Sequence, residues 1–178
     1  RQLVGDERVV RYVLSHRLNL TEVAMTAVPD ADLAAMREAL AEARNALATG
    51  DVPVGAVVVD ARGQIIGRGR NEREALGDPT AHAEVIALRE AARATGDWQL
   101  TGCTLVVTLE PCVLCAGAIL AARIPRVVFG AYDDKAGAAG GVVDLLRERR
   151  LPFRVDEVIG GVLADDAATL LREFFSTR

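Results

Sequence analysis

Two cysteines three residues apart constrain this chain more than any other feature of its sequence. Cys112 and Cys115 follow the apolar run Thr104–Thr108, which predicts a strand, and they begin an apolar run that predicts a helix. Side chains at positions i and i+3 lie on one face of a helix, and the positive end of the helix dipole favours thiolates. The spacing therefore predicts half of a tetrahedral metal site where a strand meets a helix.

A third metal ligand is offered by His82. The polar segment Asn71–Pro79 predicts a loop, after which Thr80 is the predicted N-cap of a helix that carries His82 in its first turn. Two helix N-termini that meet beside a sheet would bring His82 close to Cys112 and Cys115. A catalytic zinc site has three protein ligands and one position for water, whose pKa the ion lowers from about 15.7 to roughly 7. The three residues therefore form a candidate catalytic zinc site.

Glu84 is the candidate proton carrier of such a site. It stands two residues after His82, so it lies on a different side of the helix and need not bind the metal. A carboxylate within reach of both water and substrate can take a proton from the one and deliver it to the other.

Other interpretations of the cysteine pair remain open. Cys-x-x-Cys is also typical of a redox pair, of half a structural zinc knuckle and of two buried small residues. A redox pair leaves His82 and Glu84 unexplained, and a closed structural site needs a fourth ligand. The remaining Cys and His residues are Cys103 and His16. We expect Cys103, at the far end of the strand, to be a buried core thiol and His16 to lie on the surface.

Several polar residues outside this group are weaker candidates. Asn71 follows a predicted strand, where its amide can read a base or a ribose or can simply form a turn. Asp51 is predicted to be a solvated turn residue after Gly50. Arginines cluster at positions 62–73 and 147–154, where interleaved acids favour a solvated surface and leave phosphate contact as a second interpretation. The net charge of −4 gives no overall attraction to nucleic acid.

The order of predicted elements indicates a mixed α/β sheet. Val52–Val59 and Gln64–Arg70 predict an antiparallel hairpin, and the later strands alternate with helices, which is typical of parallel pairing through crossover helices. The later predicted strands are Thr104–Thr108, Arg126–Gly130 and Phe153–Ile159, and the predicted helices are Leu33–Leu47, Ala81–Ala94, Cys112–Arg123, Asp144–Arg150 and Leu163–Phe175. We therefore expect a three-layer α/β/α sandwich with a mixed five-stranded sheet.

One domain is expected over residues 30–178, after an extension of unknown role over residues 1–29. In that extension Val9, Val10 and Val13 approximate one face of a weak amphipathic helix, or belong to a loose segment, and Met25 is a candidate native start. No apolar run approaches the roughly 20 residues that a membrane span needs. Three cysteines, an odd number, favour a reducing compartment, so we expect a cytoplasmic protein.

The motif His82-Ala-Glu84 followed by Pro111-Cys112-x-x-Cys115 is similar to the signature of the zinc nucleoside and nucleobase deaminases. From about Leu33 to Phe175 the chain resembles, more narrowly, the bacterial tRNA-specific adenosine deaminases. The segments that carry this resemblance are Asp51–Ala56, Asp78–Glu84, Thr108–Ala118, Arg123–Ala131, Asp133–Gly140 and Gly161–Asp165. Short tetrameric cytidine deaminases have Cys at the position of His82, and guanine deaminases differ after the metal signature.

This resemblance implies a cytidine-deaminase-like fold, a homodimer, and one zinc ion per subunit held by His82, Cys112 and Cys115. It implies that hydroxide on the zinc adds to the purine carbon bearing the amine, while Glu84 transfers protons to the ring nitrogen and to departing ammonia. The family substrate is the wobble adenosine of an arginine tRNA anticodon. Substrate contacts carry over to Asn71, the Ala83 backbone, Val54, Leu109 and Asp133.

Two alternatives stand beside this expectation. One is a deaminase of a free nucleobase or nucleoside of guanine or cytosine type, and the other is a non-enzymatic structural zinc module. The chain also departs from the family loop Lys-Thr-Gly-Ala-Ala-Gly-Ser, since Ala136 stands in place of Thr and Gly141 in place of Ser. Both changes remove a hydroxyl near the expected phosphate path and bear on RNA affinity or RNA choice.

Overall fold

A mixed sheet of seven strands lies at the centre of the part of the chain that the structure describes. The computed structural model describes residues 9–14 and 21–177. The strands are β1 (Val9–Leu14), β2 (Thr21–Thr26), β3 (Gly55–Val59), β4 (Ile65–Arg70), β5 (Thr104–Leu109), β6 (Arg126–Ala131) and β7 (Glu157–Gly160). Across the sheet their order is β2-β1-β7-β6-β5-β3-β4.

Helices cover both faces of this sheet. They are α1 (Asp30–Ala46), α2 (Arg73–Leu76), α3 (Ala83–Thr95), α4 (Val113–Ala121) and α5 (Ala164–Ser176), with a 3₁₀ turn at Leu47–Thr49. Val107 of β5 packs in one buried cluster with α3 and α4, whereas its neighbour Val106 packs in a second cluster with α1 and α5. Successive strand residues thus point to opposite faces, as strand geometry requires. The predicted three-layer α/β/α sandwich is confirmed.

Strand pairing follows the predicted order of elements. β3 pairs in antiparallel fashion with both β4 and β5, whereas β5, β6 and β7 are parallel to one another. All five strands predicted for residues 30–178 are present. The prediction placed the start of the last strand at Phe153, which is too early, because residues 151–154 are exposed and lie outside the sheet. The strand begins at Glu157.

The amino-terminal extension differs from its prediction. The segment Val9–Leu14 is strand β1 rather than a weak helix or a loose segment. It pairs with β2 and, through Val10 to Val13, with β7 in antiparallel fashion. β-branched residues favour strands, and the outer edge of β7 offers backbone groups that a strand can pair with. His16, predicted to be a surface residue, lies outside the described residues.

The helix predicted at Asp144–Arg150 is absent, and these residues form a series of turns. The carboxylate of Asp144 accepts hydrogen bonds from the backbone N–H of Arg147 and, at 2.6 Å, from its Nε. A second guanidinium nitrogen of Arg147 donates to the carbonyl of Ala139 at 2.8 Å. These local bonds compete with the helical pattern, so the segment folds back on the preceding loop instead.

Two glycines in β4 bring helix α3 close to the sheet. A Cβ atom at Gly67 would overlap the carbonyl of Ala87, and one at Gly69 would overlap the carbonyl of Ala83. Helix α3 therefore rests directly on the backbone of β4, which fixes its first turn at one end of the sheet. No helix within the described ranges combines the length and the apolar character that crossing a membrane requires.

Candidate active site

Two helix N-termini meet at one end of the sheet and carry the predicted metal ligands. His82 is the N-cap residue of α3 and Cys112 that of α4, with Cys115 in the first turn of α4. The helix predicted to begin at Ala81 therefore begins at Ala83. Thr80 is not its N-cap, because the Thr80 hydroxyl donates to the carboxylate of Asp78 at 2.7 Å.

The three predicted ligands come together as a compact group. The Nδ1 atom of His82 lies 3.7 Å from the sulfur of Cys112 and 3.4 Å from that of Cys115. All three donor atoms lie within 4.8 Å of one another, and the described ranges hold no second group of Cys, His, Asp and Glu with such spacing. One imidazole nitrogen and two sulfurs suit zinc, and three donors leave a coordination position open. Cys103 is a buried core thiol outside this group, as predicted.

The protonation of the group also suits a cation. The pKa of Cys112 is lowered to about 3, first by a hydrogen bond from Cys115 and then by one from His82. The same bonds to Cys112 raise the pKa of Cys115 and of His82. Cys112 is therefore a thiolate, and a bound cation would compete with the proton on Cys115.

Glu84 lies in the first turn of α3, with only 4% of its surface exposed. Burial raises its pKa to about 7, although a hydrogen bond with Cys115 partly offsets this effect. A carboxyl group of this kind can both accept and donate a proton near neutral pH. It is not one of the three donor atoms of the metal group.

One pocket of about 190 Å³ joins these groups to the predicted substrate contacts. It is lined by Val52, Val54, Asn71, Arg73, His82, Ala83, Glu84, Leu109, Glu110, Cys112, Asp133 and Ala136. All five residues predicted to contact substrate are therefore in its wall. Glu84 and two of the three candidate metal ligands, His82 and Cys112, also line it. Cys115 lies behind the wall and is fully buried.

Asn71 has an unsatisfied acceptor in this pocket. Its Nδ2 donates to the carbonyl of Val52 at 3.2 Å, but its buried Oδ1 has no hydrogen-bond partner among the described residues. An unpaired buried polar atom costs about 1–3 kcal/mol. The turn interpretation of Asn71 leaves this oxygen unexplained, whereas a donor group on a ligand would satisfy it.

Asp51 is a buried residue and not the solvated turn residue that was predicted. Its carboxylate accepts hydrogen bonds from the backbone N–H of Glu74 at 2.7 Å and of Ala75 at 3.2 Å, and from the hydroxyl of Thr49 at 2.7 Å. Burial acts to raise its pKa, but these hydrogen bonds outweigh burial and lower it. Asp51 thus fixes the short helix α2, whose first residue, Arg73, lines the pocket.

Glu110 is a site residue that the sequence prediction missed. It lies between the end of β5 and Cys112, lines the pocket, and is 2% exposed. Its carboxylate accepts three backbone N–H groups from the segment 133–141. A charged residue directly after an apolar strand and before Pro111 was the only signal of this role.

The fold and the three-donor group define a zinc-binding deaminase domain. The family model for the cytidine and deoxycytidylate deaminase zinc-binding region matches residues 29–131. This stretch holds His82, Glu84, Cys112 and Cys115.

Comparison with similar proteins shows to which family within the zinc-binding deaminases the chain belongs. The tRNA-specific adenosine deaminase of Bacillus subtilis is 46% identical over 140 residues, which are 79% of this chain and 86% of that protein. A structure solved in work on A-to-I editing by tRNA:A34 deaminases at the wobble position has a TM-score of 0.74 and 41% identity, covering 78% of this chain and 99% of that one. The chain thus belongs to the tRNA-specific adenosine deaminase family within the cytidine and deoxycytidylate deaminases.

A further relative is a much longer protein. The tRNA(Ile)-lysidine synthase of Deinococcus radiodurans is 57% identical over 142 residues, which are 80% of this chain but 24% of that protein. The chain therefore spans about a quarter of the length of this relative.

Proposed function

We propose that this chain is a zinc-dependent hydrolase that converts the wobble adenosine of a tRNA anticodon, in the first instance that of an arginine tRNA, into inosine. The observation that supports this proposal is a single pocket that joins a three-donor metal group, a buried carboxyl group and an unpaired amide oxygen. The tRNA deaminases at 46% and 41% identity support tRNA as the substrate.

Zinc fits the donors that the pocket offers. His82 Nδ1 and the sulfurs of Cys112 and Cys115 would hold the ion. When bound, zinc supplies a Lewis acid that makes an attacking water nucleophilic near neutral pH.

Glu84 moves the protons of the reaction. Its carboxylate takes a proton from the attacking water as the water oxygen bonds to the purine carbon that carries the amine. It delivers this proton to the adjacent ring nitrogen, then takes the second proton from the hydroxyl group now on the carbon and delivers it to the amine. The carbon–nitrogen bond breaks and ammonia leaves, so adenosine and water give inosine and ammonia. Burial of Glu84 removes competing solvent from this transfer.

The remaining wall residues orient the base. The Oδ1 atom of Asn71 accepts a hydrogen bond from the nucleoside, and the backbone N–H of Ala83 is available because the first residues of a helix have no partner for it within the helix. Val54 and Leu109 contact the faces of the ring, and Asp133 lies along the path of the flanking RNA.

The protein acts as a homodimer in the cytoplasm. The start of α4 supports a self-interface, since the consecutive residues Val113 and Leu114 are 58% and 40% exposed there, beside Cys112. Neighbouring exposed apolar side chains are typical of interaction surfaces. Light scattering of the wild-type chain and of Leu114→Glu tests this point, and the substitution is expected to convert dimer into monomer.

A panel of substrates tests the proposed activity. The zinc-loaded chain is incubated with an arginine anticodon stem-loop that carries adenosine at the wobble position, and in parallel with free adenosine, cytidine and guanine. Inosine in the stem-loop, read by sequencing or mass spectrometry, is the expected result. Deamination of a free base or nucleoside with none in the stem-loop would favour the other substrate class, and no deamination at all would favour a structural zinc module.

A further inference from the structure

Glu110 holds together a loop that forms part of the substrate pocket. Its Oε2 accepts the backbone N–H of Asp133 at 3.0 Å, and its Oε1 accepts those of Ala139 at 3.0 Å and Gly141 at 2.8 Å. The segment 133–141 contains no helix or extended strand, and its only ladder contacts are isolated bridges at Gly137 and Ala139. This one carboxylate therefore binds three backbone N–H groups of the segment, beside backbone hydrogen bonds such as that from Gly137 to the carbonyl of Asp133 at 3.0 Å.

The same carboxylate is itself firmly placed. The backbone N–H of Glu110 donates to the carbonyl of Ala131 at 2.8 Å, which joins the ends of β5 and β6. The carbonyl of the next residue, Pro111, accepts the N–H of Ala138 at 2.8 Å, and Cys112 forms an isolated bridge with Gly137. Movement of the loop is thus tied to the position of a proposed metal ligand.

The fit around the carboxylate is tight enough to require glycine. A Cβ atom at Gly137 would overlap the carboxyl group of Glu110, and one at Gly141 would come within 2.5 Å of its Oε2. A buried carboxylate is costly unless hydrogen bonds compensate it, and here its partners among the described residues are backbone N–H groups. Such an arrangement suits a loop whose exact position matters.

We infer that Glu110 is a positioning residue for the substrate: by holding the segment 133–141, it sets the pocket wall formed by Asp133 and Ala136 relative to Cys112. Both wall residues line the same pocket as Glu84 and Asn71. The inference rests on the proposed deaminase function, because that function assigns the pocket to the substrate. This wall includes Ala136, which stands where the family resemblance implies Thr.

The test is Glu110→Gln in the zinc-loaded chain. Glutamine keeps the shape of the side chain but presents an N–H₂ group where an acceptor is needed. We expect KM for the anticodon stem-loop to rise roughly tenfold while kcat changes by less than about threefold. We also expect faster amide hydrogen exchange in the peptide 133–141 and unchanged zinc content.

Glu90→Gln is the matched control. The exposed Glu90 likewise accepts a backbone N–H, that of Arg68 at 2.7 Å, but it lies outside the pocket wall.

Gly137→Ala provides an independent route to the same result. It leaves the Glu110 side chain unchanged but pushes a methyl group against it, and the same rise in KM and the same faster exchange are expected. Unchanged KM and unchanged exchange in Glu110→Gln would overturn the inference. Should Glu110→Gln fail to fold, unchanged KM and exchange in Gly137→Ala would overturn it. A wild-type chain with no deaminase activity would refute the proposed function instead, and the exchange experiment would still show whether Glu110 holds the loop.

Discussion

The Nδ1 atom of His82 lies 3.4 Å from the sulfur of Cys115, although 33 residues separate them in the chain. Helices α3 and α4 both begin at this point, and each contributes to the metal group from its N-terminus or first turn. The two residues are in contact because the connections that lead into α3 and α4 end at the same end of the sheet.

Removing one sulfur from the metal group tests whether the chain binds zinc there. We expect Cys115→Ser to lose zinc, because three donors are needed for a stable site and a serine hydroxyl is a poor zinc ligand. Cys103→Ser is the matched control, since Cys103 lies outside the group, in the core cluster. Metal content after gel filtration, measured by mass spectrometry, gives the answer. Full zinc content in Cys115→Ser would mean that the ion is held elsewhere.

The metal group could be predicted from sequence because its residue types and their spacing are typical of metal ligands. A Cys-x-x-Cys at a strand-to-helix junction and a histidine at a second helix start leave few other arrangements. Asp51 and Glu110 could not be predicted in the same way, because their partners are backbone N–H groups 23 to 31 residues away, which any residue type supplies. Strand β1 was missed for a related reason. Over so short a segment its valines fit the spacing of a helix as well as that of a strand. Pairing with β7, which is distant in the sequence, favours the strand.

Asp51 is expected to stabilise the protein in a pH-dependent way. Hydrogen bonds hold the pKa of its carboxyl group below the ordinary value in the folded state, so the stabilisation is complete above the unfolded pKa, near pH 4, and is lost as the pH falls through the folded pKa. We expect Asp51→Asn to lower the free energy of unfolding by about 1–3 kcal/mol at pH 7. The difference from wild type should shrink below about pH 4.

Urea unfolding of both proteins across this pH range measures the effect, and the loss of zinc at low pH is common to both. A difference between them that is constant with pH would show that Asp51 does not contribute through its charged form.

Arg126 links α1, β6 and β7. Its two terminal nitrogens donate to the carboxylate of Asp32 at 2.8 and 2.7 Å, and its Nε donates to Glu157. Because Asp32 is only 5% exposed, Arg126→Met leaves a buried charge without its partner, and we expect the free energy of unfolding to fall by about 3–5 kcal/mol. The double variant Asp32→Asn with Arg126→Met should recover part of this loss. Chemical denaturation measures both, and a loss below about 1 kcal/mol in the single variant would contradict the account.

Arg73 is expected to favour RNA over a free nucleoside. It is the single arginine or lysine in the described wall of the pocket, and it is exposed to solvent. We expect Arg73→Gln to lower kcat/KM for the anticodon stem-loop and to reduce the slope of log kcat/KM against log salt by about 0.7, because one phosphate contact is lost. Activity on free adenosine, where measurable, should not change. Arg172→Gln, on the exposed face of α5, is the control and should leave the slope unchanged.

Glu84 and the three-donor metal group are expected to act together in deaminating a tRNA adenosine. Inosine formed at the wobble position of an arginine anticodon stem-loop is measured for zinc-loaded wild type and for Glu84→Gln under single-turnover conditions. We expect inosine with the wild type, and a rate lowered by about 10²–10⁴-fold in Glu84→Gln with its zinc still bound. Equal rates in the two proteins, or no inosine with the zinc-loaded wild type, would contradict this expectation.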